Sequence, residues 1–173
     1  IQQGGQLMGL RNYFGLAPIP SGGHYQFGGY VNLSILHPTA GREALSRESI
    51  QHVNALINMI EEQVSCDLAT TKEANVNVPF LNYINSHNRF DLADNITIRL
   101  LPEDREIPLG QVSDIAQTKT TLYFTGRDQQ VIETFSSDSS YLLHVTQTNP
   151  KRNIQTNYLA RKTSISPVPD QAT

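Results

Sequence analysis

The sequence predicts an α+β fold: an antiparallel β-sheet, wound as a meander, with one main α-helix at about residues 46–66 packed on one face. Three observations carry this expectation. Apolar residues recur at helical spacing over one long stretch, Ile50 to Val64. Period-two alternation marks Tyr25 to Ile35 and several segments after residue 95. The later segments are separated by short breaks such as Gly126-Arg127-Asp128 and Asn149-Pro150-Lys151, which suit hairpins better than crossovers.

The chain has 173 residues, enough for one ordinary domain, and the expected division is an apolar arm at 1–24, a single α+β domain at 25–166 and a disordered tail at 167–173. Residues 1–41 hold one charged side chain, Arg11, and nine of the eleven glycines. Leu7, Met8, Leu10, Tyr13, Phe14 and Leu16 are interrupted by Gly9 and Gly15. Each interior glycine costs a helix about 1 kcal/mol relative to alanine, so an extended arm is expected. Exposed apolar surface of that extent needs a cover, from the chain's own sheet or from another chain.

From Tyr25 the residues Tyr25, Phe27, Gly29, Val31, Leu33 and Ile35 fall on one face of a predicted strand. Gly28-Gly29 within it suggests a bulge or a close backbone approach. Ser46 is the expected N-cap of the helix, and Glu48 in the first turn suits its dipole. Ile50, Val53, Ile57, Ile60 and Val64 would form the buried stripe, with Gln51, Asn54, Asn58, Glu61 and Glu62 facing water.

Residues 67–94 lack periodicity and are rich in asparagine, with a short strand expected around Val76 to Leu81. Ile96, Ile98 and Leu100 then alternate with Thr97 and Arg99, and further strands are expected at 120–125, 131–135, 141–148 and 157–165. Ile107-Pro108-Leu109-Gly110-Gln111-Val112-Ser113-Asp114-Ile115, followed by a strand and the Gly126-Arg127-Asp128-Gln129 turn, is similar to a run in the periplasmic porter region of RND-type exporters. That similarity covers a small part of the chain, its flanks do not match, and no family is assigned from it.

Composition bears on compartment and partners. Lysine occurs four times, whereas Asn and Gln occur thirteen times each. Neutral polarity in place of lysine is a habit of periplasmic, secreted and virion proteins. A net charge of −3 gives no electrostatic case for nucleic acid. No apolar run approaches the roughly 18 residues of a spanning helix, so membrane insertion of this segment is not expected, although an upstream signal or anchor is compatible with a start at Ile1. Cys66 stands alone, which rules out an internal disulfide and a cysteine-based metal cluster. Asn32 and Asn95 begin N-x-S/T sequons, used only in a secreted eukaryotic setting.

Chemistry-bearing patterns are sparse. The glycine-rich Ser21–Tyr30 stretch lacks the Lys-Ser/Thr of a phosphate loop and leads into a strand rather than a helix, so no cofactor is expected. His24, His37, His52, His87 and His144 show no metal-ligand spacing, and no metal site is expected. Glu61 and Glu62 diverge by about 100° on a helix and do not form a carboxylate pair. The leading expectation is a non-catalytic protein-binding or assembly module of a cell envelope, secretion apparatus or virion, binding through Leu10, Tyr13, Phe14, His24 and Tyr30. One alternative is a secreted inhibitor or immunity-type protein using the 67–94 loop. Another is a hydrolase or nuclease in which His24 or His87 works with Asp91 as general base and carboxylate.

Overall fold

The computed structural model describes residues 5–20, 22–41 and 44–169. The chain is α+β, as expected, and divides into two compact units, Ile1–Ser65 and Cys66–Thr173. Both sheets are mixed rather than purely antiparallel.

In the first unit, β1 (Leu7–Arg11) and β2 (Phe14–Ile19) form a hairpin, and β3 (Gly29–Asn32) lies parallel to β1, giving the order β2-β1-β3. The loop Asn12-Tyr13 has φ of 49° and 67°, the positive values that a tight two-residue hairpin turn needs to match strand twist. The register shifts between Gly9 and Leu10, where Leu16 is the extra residue of a bulge. The stretch expected as an arm is thus extended, but it buries Leu7, Ala17 and Ile19 in its own unit's core. That core is completed by Leu36, Leu45, Val53 and Ile57, the last two from α1 (Arg47–Ala69).

The long strand expected from Tyr25 is reduced to Gly29–Asn32. Gln26 takes φ 50°, which breaks an extended run, and the chain turns again so that Leu36, not Ile35, is buried. Gly28 does meet backbone closely, because a Cβ there would lie 2.7 Å from the Cα of Gly5.

Helix α1 begins where expected. The Ser49 N–H donates to Ser46 Oγ at 3.2 Å, and the helix runs three residues past the expected end. Its phase differs in the second half. Ser49, Val53, Ile57, Glu61 and Ser65 are buried at intervals of four, while Ile60 and Met59 are exposed. Glu61, expected in water, is a buried residue, for reasons given below.

The second unit holds a five-stranded sheet in the order β5-β4-β7-β6-β8: β4 (Thr97–Leu101), β5 (Arg105–Pro108), β6 (Thr120–Phe124), β7 (Ser140–His144) and β8 (Ser166–Pro167). Ile96, Ile98 and Leu100 are fully buried beside exposed Arg99, the alternation read from the sequence. β4 is antiparallel to β5 and β7, but β6 is parallel to both β7 and β8. Parallel neighbours need a crossover. Two expected strands are accordingly helices. The first is α4 (Gln129–Phe135), capped by Asp128, which accepts the Gln130 N–H. The second is α5 (Lys151–Lys162), which starts directly after Pro150 and buries Ile154, Tyr158 and Leu159. β-Branched Val131 and Ile132 favour strands in isolation, and the crossover requirement overrides them.

The strand expected around Val76 is also helical. A 3-10 turn at Lys72–Asn75 leads to α2 (Val78–His87), where Asn77 accepts the Phe80 N–H at 3.0 Å and Pro79 occupies the first turn. Between β5 and β6, the stretch likened to an exporter run forms a 3-10 turn at Leu109–Gln111 and the short helix α3 (Val112–Ala116). At the chain end, the Val168 N–H donates to the Tyr123 carbonyl, and residues 170–173 lie outside the described residues. No helix of the described residues is long and apolar enough to cross a membrane.

Ile57→Asp places a carboxylate in the first core and should cost several kcal/mol. Asn58→Asp, on the exposed side, should stay within about 0.5 kcal/mol. Thermal melts of the two variants check the helical phase.

Candidate functional site

The residues expected to bind a partner separate into two places. Leu10, Tyr13, Phe14 and Tyr30 lie on the hairpin sheet, whereas His24 lies in the glycine-rich loop seated over α1.

That loop explains why Glu61 is buried. Oε1 of Glu61 accepts the His24 N–H at 2.6 Å and the Tyr25 N–H at 3.4 Å, and the His24 imidazole stands 3.8 Å from Oε2. The Tyr25 hydroxyl pairs with Ser65 Oγ at 2.6 Å, one turn further along the helix. A desolvated carboxylate is tolerated because backbone donors replace its water. Gly23 is needed for the approach, since a Cβ there would collide with Glu61 Oε1. The small hollow between Gly22, Gly23, Gln26, Phe27, Ile57 and Glu61 has no room for a ligand. His24 therefore works within the fold, as part of a latch.

The sheet residues have a different character. Tyr13 is 85% exposed, Phe14 77% and Tyr30 79%. Register places Met8 opposite both Pro18 and Tyr30, and Leu10 opposite Gly15 and Asn32, so half-buried Met8 and Leu10 share the sheet face turned from the core. Tyr13 occupies a left-handed backbone position, which costs an ordinary side chain about 1–2 kcal/mol. The Asn32 side chain accepts the Tyr13 N–H at 3.1 Å and ties the turn to β3. This use of the Asn32 amide group is where the first sequon falls. The second sequon's Asn95 donates to the Ala69 carbonyl at 2.8 Å.

The enzyme alternative finds His24 in one unit and His87 with Asp91 in the other. The His87 ring stacks on Tyr83 with centroids 4.3 Å apart, and its Nδ1 lies 3.1 Å from the Tyr83 carbonyl. Asp91 accepts two hydrogen bonds from Arg89, at 3.1 and 3.2 Å, and these hold its carboxyl below the usual carboxylate range. A carboxylate so stabilised is a weak proton acceptor. Among the described residues, no group of three or more His, Cys, Asp or Glu is placed to hold a metal ion.

One feature of the second unit was not legible as a site in the sequence. Pairing registers align Glu106 with Arg99, Arg99 with His144, and His144 with Phe124, which makes a row across β5, β4, β7 and β6. Beside it, Val145 to Thr148 and the α5 residues Lys151 and Gln155 border a half-open cavity of about 350 Å³. Gln155 is buried and locks the rim, accepting the Thr146 N–H and donating to the Thr97 carbonyl, both at 2.8 Å. Reading 157–165 as a strand hid this arrangement. The signal available was the Ile154–Tyr158–Leu159 spacing, which is helical.

No family model matches the chain, and no curated protein shows significant similarity to it.

Gly23→Ala should destabilise the first unit by roughly 1–3 kcal/mol, because the added methyl displaces the Glu61 oxygen from its donors. Gly22→Ala meets nothing within 4 Å and should be nearly silent. Denaturant titrations of the pair check the latch.

Proposed function

We propose that this chain is a non-catalytic protein-binding module of an extracytoplasmic assembly, in a cell envelope, secretion apparatus or virion. The observation that carries the reading is the exposure of three aromatic rings on one small sheet, Tyr13 in its turn, Phe14 paired with Arg11 on the core-side face, and Tyr30 paired with Met8 on the other. Aromatic side chains left in water cost solubility, and they are the residues that dominate protein interfaces once buried. The partner is another polypeptide that covers these rings with its own apolar residues. Strands β2 and β3 are the sheet's edges, so backbone pairing is available beside the rings. The low lysine content supports a periplasmic or extracellular setting, and the net charge of −3 supports a protein rather than a nucleic acid as partner.

The strained turn supports the same reading. A tyrosine at φ 67° is a cost to folding that glycine would avoid, and an interface contact supplies a reason to keep it.

Tyr13→Gly should leave stability unchanged or raise it by up to about 1 kcal/mol. The same change should weaken partner binding by about 2 kcal/mol, as removal of a central aromatic contact does. A photo-crosslinking amino acid at position 14, in the full chain within its native host, should capture one protein partner or a second copy of the chain. The triple variant Tyr13→Ser, Phe14→Ser, Tyr30→Ser should abolish that partner's binding while its melting curve stays intact. Undiminished binding by the folded triple variant would sink the proposal.

A further inference from the structure

The cavity of the second unit is independent of the exposed rings of the first and has a chemistry of its own. Its about 350 Å³ lies in the lower part of the roughly 300–1,000 Å³ range of small-molecule sites. Polar groups converge on it: Arg99, Glu106, His144, Thr146, Gln147, Thr148 and Lys151. Most of them are already committed. His144 Nε2 lies 2.9 Å from the Gly126 carbonyl. The Gln147 amide donates to the carbonyls of Thr125 and Val145, and its oxygen accepts from Arg152 at 3.0 Å.

The two cations differ from the rest. Lys151, the first residue of α5, is half-buried and donates to the neutral Thr97 hydroxyl at 3.2 Å. It makes no ion pair among the described residues. Burial pushes its ammonium below the usual lysine value, and Glu106 across the cavity offsets part of that. Arg99 uses Nε for Asp104, and the terminal nitrogens of its planar fork are the ones suited to two-oxygen recognition. Arg99 is already paired with Asp104 and stands opposite Glu106, so Lys151 is the lining cation without an ion pair among the described residues, and the guanidinium lies on the same cavity.

We propose that this cavity binds a small anion of the carboxylate or phosphate type, held by Lys151 and the terminal nitrogens of Arg99. The anion supplies Lys151 with the ion-pair partner that Glu106 does not, and the Thr146 and Thr148 hydroxyls, paired with each other at 3.4 Å, line the same space. Glu106 faces the same space and opposes an anion. It sets an upper limit on affinity and favours ligands that also carry a donor toward it.

The test uses the full chain and two probes, inorganic phosphate and citrate, titrated at constant ionic strength against sodium chloride. Amide resonances of residues 144–151 report binding. One or both probes should give saturating shifts: phosphate alone assigns the phosphate type, citrate alone the carboxylate type. Lys151→Met should weaken binding by about tenfold or more, the range expected for losing a hydrogen bond to a charged group. Lys151→Arg should retain it within about threefold, and Glu106→Gln should strengthen it severalfold by removing the opposing charge. Thermal melts of each variant separate loss of binding from loss of fold. Shifts that fail to saturate with both probes, or that chloride reproduces, overturn the proposal. So does unchanged affinity in a Lys151→Met variant that melts like the parent.

Discussion

Two strands that run in the same direction cannot be joined by a tight turn, because the chain must travel back along their length before pairing again. This constraint shapes the second unit. In the first unit β2 is antiparallel to β1 and β3 parallel to it, so the chain leaving Ile19 only passes from one sheet edge to the other, at the end where Leu7 pairs with both Ile19 and Gly29, and that passage lays Gly23, His24 and Tyr25 on α1. β6 lies parallel to β7 and β8, so α4 and α5 are needed as connections. The cavity wall around Lys151 is a by-product of these crossovers, and the buried latch around Glu61 of the first unit's edge-to-edge passage. A purely antiparallel meander would have had neither.

The same constraint decides what was legible in the sequence. Local signals survived. Ser46 caps α1, the Ile96–Ile98–Leu100 alternation forms a buried strand, and the glycine-broken opening is extended. Strand order did not, because parallel and antiparallel pairing use the same alternation and differ only in the length of chain between. Val131, Ile132 and Phe135 carry strand-like side chains in a segment that a crossover forces into a helix. Glu61 was assigned to water by its neighbour Glu62 and by helical phase alone. What lets a carboxylate be buried one turn beyond Ile57 is a pair of backbone N–H groups from residues nearly forty positions earlier, and a periodicity argument has no access to those.

The candidate surfaces follow a similar division. Tyr13, Phe14 and Tyr30 could be singled out because an apolar stretch almost free of charge needs an explanation wherever it occurs. His24, in the same stretch, was grouped with them by proximity in sequence, and the structure assigns it to Glu61 instead. The cavity in the second unit was hidden because its cations come from β4 and α5, far apart in the chain. Lys151-Arg152 reads as an ordinary solvated basic pair. Only the cross-strand register of Glu106, Arg99 and His144, with α5 beside it, makes Lys151 half-buried.

Gly28 and the rings near it imply opposite histories of variation. At Gly28 two backbones cross with space for a hydrogen atom, so any side chain would pry β3 from β1 and move Tyr30, two residues along. Tyr13, Phe14 and Tyr30 themselves satisfy nothing in the core that the fold would miss. A lineage carrying this unit is therefore free to exchange the rings, one at a time, while the glycine stays fixed. On the proposed reading, recognition could then drift from one partner to the next on a frame that need not be rebuilt.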